Sequence, residues 1–220
     1  MVAGNGPLTV ALDARLIAGT STGDSSYWSG LLSGLAQGES SAEFLLISNA
    51  PQPTSIPDHP RFRWIEAKGS NRWWSLVTFP LLARKLGAHV SHGQYNMSPL
   101  CRNLVTTVHD VSFMIEPKWF KPKDRVLLRL GVAKTVSRAK RVITVSETSL
   151  GEIHHFFPET KGKTVAIYNA AGLGIQALSK HEARARLGDL GISSPFVLAV
   201  GTRWPRKNLS LAIDACNGFG

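Results

Sequence analysis

Apolar positions along this chain fall into two alternating rhythms from residue 8 to residue 169. Short apolar runs at 8–15, 43–48, 61–65, 87–93, 104–113, 141–146 and 164–169 predict strands. Between them the spacing turns helical. Trp28, Leu31, Leu32 and Leu35 share one face of a helix at 28–35, and an apolar helix runs to Leu86, with Pro80 bending it or starting its main section. A basic helix at 123–139 places Val126, Leu127, Leu130, Ala133 and Val136 on the face expected to meet the core. Ser146 to Ser149 supply a cap for a helix at 150–156. Strands alternating with helices and no hairpin signal predict an α/β fold, a Rossmann-like doubly wound parallel sheet.

The run at 104–113 stands at the centre of that pattern. Val105 to Val108 are four β-branched residues in succession, without polar alternation, as expected of a strand covered on both faces. Such a strand delivers His109 and Asp110 to its carboxyl end, where open α/β sheets keep their ligand crevice. The strand at 87–93 likewise ends on His92 and Gly93.

After a connector at 170–177 the pattern restarts. A helix at 181–187, an apolar strand at 195–201 and a helix at 209–216 predict the first strand-helix unit of a second Rossmann-like domain. Between strand and helix lie Arg203, Arg206 and Lys207, ahead of Asn208, a natural helix cap. Cations beside a helix amino terminus repel it unless an anion sits between them, and a phosphate meets both demands. The glycine-bearing loop at 19–27, between the first strand and helix, has the shape of a phosphate-binding turn or of a plain tight connection.

Composition narrows the picture. With 220 residues, 43% of them apolar, the chain can bury a full core and part of another. Cys101 and Cys216 lack metal-ligand spacing, so neither a disulfide nor a metal site is predicted. No leader pattern and no membrane-spanning run is present, and the expectation is a cytoplasmic protein. Twenty-five lysines and arginines against 15 acidic residues give a formal charge of +10. Nine of the basic residues lie between Lys118 and Arg141, where Asp124 and no other is acidic. This patch suits an anionic membrane surface, on the inner face, or an ordinary solvated helix face.

The ordered series Gly23-x3-Tyr27, His92-Gly93-x2-Asn96-x2-Pro99, Thr107-Val108-His109-Asp110, Val142-Ile143-Thr144-Val145-Ser146-Glu147-x-Ser149, Tyr168-Asn169 and Val200-Gly201-Thr202-x2-Pro205-Arg206-Lys207-Asn208 resembles retaining glycosyltransferases of the GT-B fold, in the group called family 4 or group 1. The resemblance implies two Rossmann-like halves around a crevice. Residues 1–175 would form the acceptor-side domain, and 176–220 a linker and the start of an incomplete donor-binding domain. A sugar would pass from a nucleotide sugar to a carbohydrate or lipid-linked acceptor hydroxyl with retention of configuration. His109 would hydrogen-bond the donor sugar, with Asp110 beside it. Lys207, Arg206 and Gly23 would hold the diphosphate, with no metal and no other cofactor. Tyr27, His92, Gly93, Asn96, Ser146, Glu147 and Asn169 would line the crevice.

Two positions depart from that pattern. Ser25 stands where many relatives carry a second glycine, and Asn169-Ala170 where they carry Asn-Gly. The family's second half also extends well past its first strand-helix unit. The chain is therefore expected to be truncated after the start of the donor domain, inactive or incomplete alone, and able to oligomerise through that unit. The competing expectation is a non-catalytic Rossmann-like module that binds a nucleotide or an anionic ligand. A nucleic-acid partner is not expected, and a dinucleotide dehydrogenase lacks its Gly-x-Gly-x-x-Gly turn here.

Overall fold

The computed structural model describes residues 6–17, 23–69, 73–170, 176–192, 196–201 and 203–218. In chain order the elements are β1 (Thr9–Asp13), α1 (Gly23–Gln37), β2 (Glu43–Ser48), β3 (Phe62–Glu66), α2 (Phe79–Lys85), β4 (Val90–Gln94), β5 (Leu104–Thr107), α3 (Ser112–Ile115), α4 (Pro122–Arg138), β6 (Arg141–Thr144), α5 (Glu147–Phe156), β7 (Thr164–Ala166), α6 (Lys180–Asp189) and α7 (Leu209–Asn217). The seven strands form one sheet, ordered β3-β2-β1-β4-β5-β6-β7, and every neighbouring pair is parallel. The α/β expectation holds.

The strand sequences explain why the sheet is covered on both sides. In β2, Phe44 and Leu46 enter one buried cluster with Trp28 and Leu32 of α1, while Leu45 and Ile47 enter the other with Trp74, Phe79 and Val136. Side chains alternate across a strand, so an unbroken apolar run feeds two cores. Cover is uneven, however. Ile143 and Val165 pair in register with Thr107 on the α1 side of the sheet, and Val165 and Ile167 are 44% and 53% exposed.

Helix ends follow local chemistry. Pro80 has no N–H to offer the carbonyl four residues back, and Ser98 Oγ donates to that Leu76 oxygen at 2.7 Å instead. The chain ahead of α2 widens into a π-turn, Trp74–Thr78, so Pro80 begins the regular helix. At the far end of α1, the Arg61 guanidinium donates to the carbonyls of Leu35 and Gly38 at 2.6 and 2.7 Å, as a cation at a helix carboxyl end should. Ser146 caps α5 by accepting from Ser149 N at 3.1 Å. Replacing Ser146 by alanine is expected to cost about 1 kcal/mol, read as a lower urea midpoint with unchanged slope.

Four expectations need correction. α1 begins at Gly23, not Trp28, because small polar residues at 23–26 accept helical backbone; residues 18–22 of the supposed phosphate loop lie outside the described residues. α4 turns Val132, Thr135 and Val136 inward, leaving Val126, Leu127 and Leu130 exposed. Residues 196–201 form no strand, because no partner strand lies beside them among the described residues, and Val197, Leu198 and Val200 are 77%, 74% and 85% exposed. Asn208 adopts left-handed backbone (φ 45°, ψ 46°), and its side chain caps nothing. It ends the short turn Pro205–Lys207 instead, and amides tolerate that conformation better than most residues.

Candidate functional site

Strand order reverses between β1 and β4, and ligands of open parallel sheets settle at carboxyl ends beside such a reversal. The helix that leaves β1 there, α1, brings its first two turns over the ends of β4 and β5. Tyr27 OH lies 2.9 Å from Thr107 Oγ1, and Thr107 Oγ1 is in turn 2.9 Å from His92 Nε2. Tyr27, Thr107 and His92 thus form a polar chain joining a helix to two strands. His92 is 7% exposed and packs on Trp28 with ring centroids 5.1 Å apart.

Burial pushes the His92 pKa down to about 4, so the ring is neutral at neutral pH. The sign for stability follows. A histidine with a depressed folded-state pKa binds its proton more readily when unfolded, so stability is complete above about pH 6.5 and declines toward about pH 4. The loss across that window is expected to be roughly 3 kcal/mol, and His92→Gln should flatten it in urea melts taken at each pH.

His109 follows β5 by two residues. Its ring meets the edge of Tyr27 at 4.8 Å and 88°, and Tyr95 lies 5.9 Å away on another side. Nε2 is 3.7 Å from Asp24 Oδ1 and, among the described residues, is buried without a hydrogen bond. Burial lowers its pKa, and the carboxylates of Asp24 and Asp110 oppose that shift. Burial, with Asp110 and Asp24 adding to it, raises the Tyr95 phenol, so Tyr95 is a neutral donor. Tyr95 reaches its place through left-handed backbone (φ 50°), which costs roughly 1 kcal/mol in a non-glycine residue. Gln94 ends β4 beside Thr107, and both polar atoms of its amide are buried without a partner among the described residues.

The other expected residues lie in varied places. Asp110 Oδ1 accepts from Ser112 N at 2.9 Å and Ser112 Oγ at 2.6 Å, fixing the turn into α3. Gly93 faces the opposite side of the sheet, where the Met97 thioether occupies the place a Cβ would take. The Asn96 amide packs on Gly131 of α4 in the same way, with Oδ1 against that glycine's Cβ position. Ser146 caps α5, and Glu147 is exposed in its first turn. Asn169 is exposed beyond β7, and Gly23, also exposed, opens α1. Lys207 is exposed in the turn Pro205–Lys207, where the side chain of Arg206 lies outside the described residues. That loop meets the segment ahead of α4 through Trp204 and Phe120, ring centroids 5.7 Å apart. Among the described residues no hydrogen bond or ion pair joins Lys207 to His109.

Sequence reasoning missed a second cluster at the end of β1. Asp13, 6% exposed, accepts from Arg15 through both oxygens, at 2.9 and 2.8 Å, and from Trp74 Nε1 at 3.0 Å. The guanidinium also lies over the Trp74 ring, 5.5 Å from its centre. An Asp-x-Arg at the end of the first strand was the available signal. One cavity of about 350 Å³, lined by Ser98, Cys101, Asn103 and Arg138 among others, lies at the amino end of β5, the opposite edge from His109.

Residues 36–172 match the family described as Glycosyltransferase Family 4. The chain is also 33% identical over 113 residues to the O-antigen chain mannosyltransferase RfbU of Salmonella typhimurium. That match spans 50% of this chain and 28% of the other protein's length. His92, His109 and Asp110 fall inside the family match, whereas Gly23, Tyr27 and Lys207 fall outside it.

Proposed function

This chain belongs to Glycosyltransferase Family 4, and from that membership we propose that it serves sugar transfer from a nucleoside-diphosphate donor to an acceptor hydroxyl, with retention of configuration. Mannose is the first sugar to test, on the strength of the mannosyltransferase relative. In this reading residues 1–175 form the acceptor-side half and 176–220 begin the donor-binding half.

The observation that supports the reading is the shielded Nε2 of His109, without a hydrogen bond among the described residues, beside the reversal of strand order. A buried polar atom without a partner is uncommon in a native protein and needs an explanation. A hydroxyl of the donor sugar supplies the missing partner. Because burial depresses its pKa, the ring acts as a neutral hydrogen-bonding group. Tyr27 and Tyr95 hold the ring, and Asp24 sits near Nε2.

In the reaction the bond from the anomeric carbon to phosphate oxygen breaks and a bond to the acceptor oxygen forms on the same face. The acceptor's proton leaves with the departing nucleoside diphosphate. Negative charge grows on that phosphate while the sugar becomes oxocarbenium-like, so fixed cations lower the barrier. Lys207 and Arg206 are the proposed cations, with the first turn of α1 at Gly23 approaching from the other half; no metal is needed in this reading.

The test is incubation of the full-length protein with labelled nucleoside-diphosphate mannose and a lipid-linked saccharide. The expected result is a new glycoside whose anomeric configuration, read by NMR coupling, matches the donor's. An inverted product would overturn retention. Nucleotide binding without transfer across a panel of donors would favour the non-catalytic module.

A further inference from the structure

We propose that the outward face of α4 is a docking surface for an anionic phospholipid bilayer. The helix has a satisfied inner side, with Val132, Thr135 and Val136 buried, so its outer apolar residues are not a displaced core face. On the outer side Lys123, Val126, Leu127, Leu130 and Lys134 follow at helical intervals of three and four residues, a single stripe with lysines at both ends. Val126, Leu127 and Leu130 are 51%, 62% and 66% exposed, unusually high for three neighbouring aliphatic side chains.

The charge around the stripe selects its partner. Lys123 and Lys134 lie on the stripe and the exposed Arg138 follows one turn after Lys134, whereas Arg125 and Arg129 turn toward the opposite side, where they line a groove of about 350 Å³ with Phe113, Met114 and Pro117. Among the described residues, the lysines and arginines of α4 form no ion pair. The stripe's lysines belong to a segment, 118–141, that carries nine basic residues against one acid. An apolar centre with a basic rim matches a bilayer interface, where the aliphatic side chains enter the acyl boundary and the cations meet phosphate. A nucleic acid would meet the cations and leave the leucines in water. A second copy packed face to face would bring lysines against lysines.

No helix among the described residues is long and apolar enough to cross a membrane, so contact of this kind would be peripheral. It would hold the carboxyl edge of the sheet near a lipid-linked acceptor, although the docking does not depend on the catalytic reading.

Vesicle sedimentation of the full chain tests the proposal. Vesicles with about a third phosphatidylglycerol should retain the protein at low salt, and phosphatidylcholine vesicles should not. Leu127→Ser/Leu130→Ser, folded by circular dichroism, should bind roughly tenfold more weakly. Lys123→Gln/Lys134→Gln should lose roughly thirtyfold, since each lysine near an anionic surface contributes about 1 kcal/mol. Leu81→Ser, equally exposed on α2, should bind as the native chain does. Equal binding to neutral vesicles, no binding to anionic ones, or native affinity in both double variants would overturn the proposal. A native dimer that Leu127→Ser/Leu130→Ser dissociates would assign the face to a second copy and overturn it too.

Discussion

His109→Ala is expected to lower glycosyl transfer by the full-length protein about a hundredfold, the scale of losing one well-placed hydrogen bond to a transition state. Melting should fall only modestly, because the ring's packing on Tyr27 and Tyr95 is lost but Nε2 has no hydrogen bond among the described residues to lose. The pH dependence separates this role from simple packing. Burial puts the folded-state pKa of His109 below its usual value of 6.5, so the neutral ring prevails at pH 7 and above. Transfer should stay level there and fall as acid protonates the ring, and the alanine variant should lack that acid limb. His109→Gln, which can still donate a hydrogen bond, should recover part of the rate. Native activity in His109→Ala would sink the assignment.

Trp74→Ala is expected to have the largest effect on stability, about 3 to 5 kcal/mol, or a fall in melting temperature of roughly 10 °C for a chain of this size. The indole is fully buried in the cluster with Ile47, Phe79 and Val136. It also donates to Asp13 and carries the Arg15 guanidinium over its ring. Removing it opens a cavity and takes one of the donors that satisfy a nearly buried carboxylate. Trp74→Phe refills most of the space without the donor, so it should cost less than half as much. Equal losses in the two variants would show that the hydrogen bond to Asp13, not the packing, dominates.

The parallel sheet was legible because apolar runs such as Phe44 to Ile47 feed two cores at once. The carboxyl-end location of His109 followed directly from strand polarity. The inward face of α4 was not legible, since apolar residues occur on both of its sides and only the sheet beneath decides which are covered. Val132 and Val136 fit the groove, leaving Leu127 and Leu130 outside. Of the strand expected at 195–201, the described residues 196–201 form none for a related reason: β propensity creates no ladder where no neighbouring strand lies among the described residues. Asp13 and Arg15 were passed over because a charged pair ending a strand resembles any surface turn until Trp74 arrives from 61 residues away. Thr107 read only as a β-branched strand former, although its hydroxyl lies between Tyr27 and His92.

The uneven cover of the sheet has a dynamic corollary. β7 contributes three residues, borders β6 on one side alone, and turns Val165 and Ile167 toward water. Amide protection should therefore be graded across the seven strands, lowest at β7 and greatest around β1, β2 and β4. Opening would start at that thin margin and proceed inward, so the stretch around His92 and His109 would keep its shape after the last strand had already frayed.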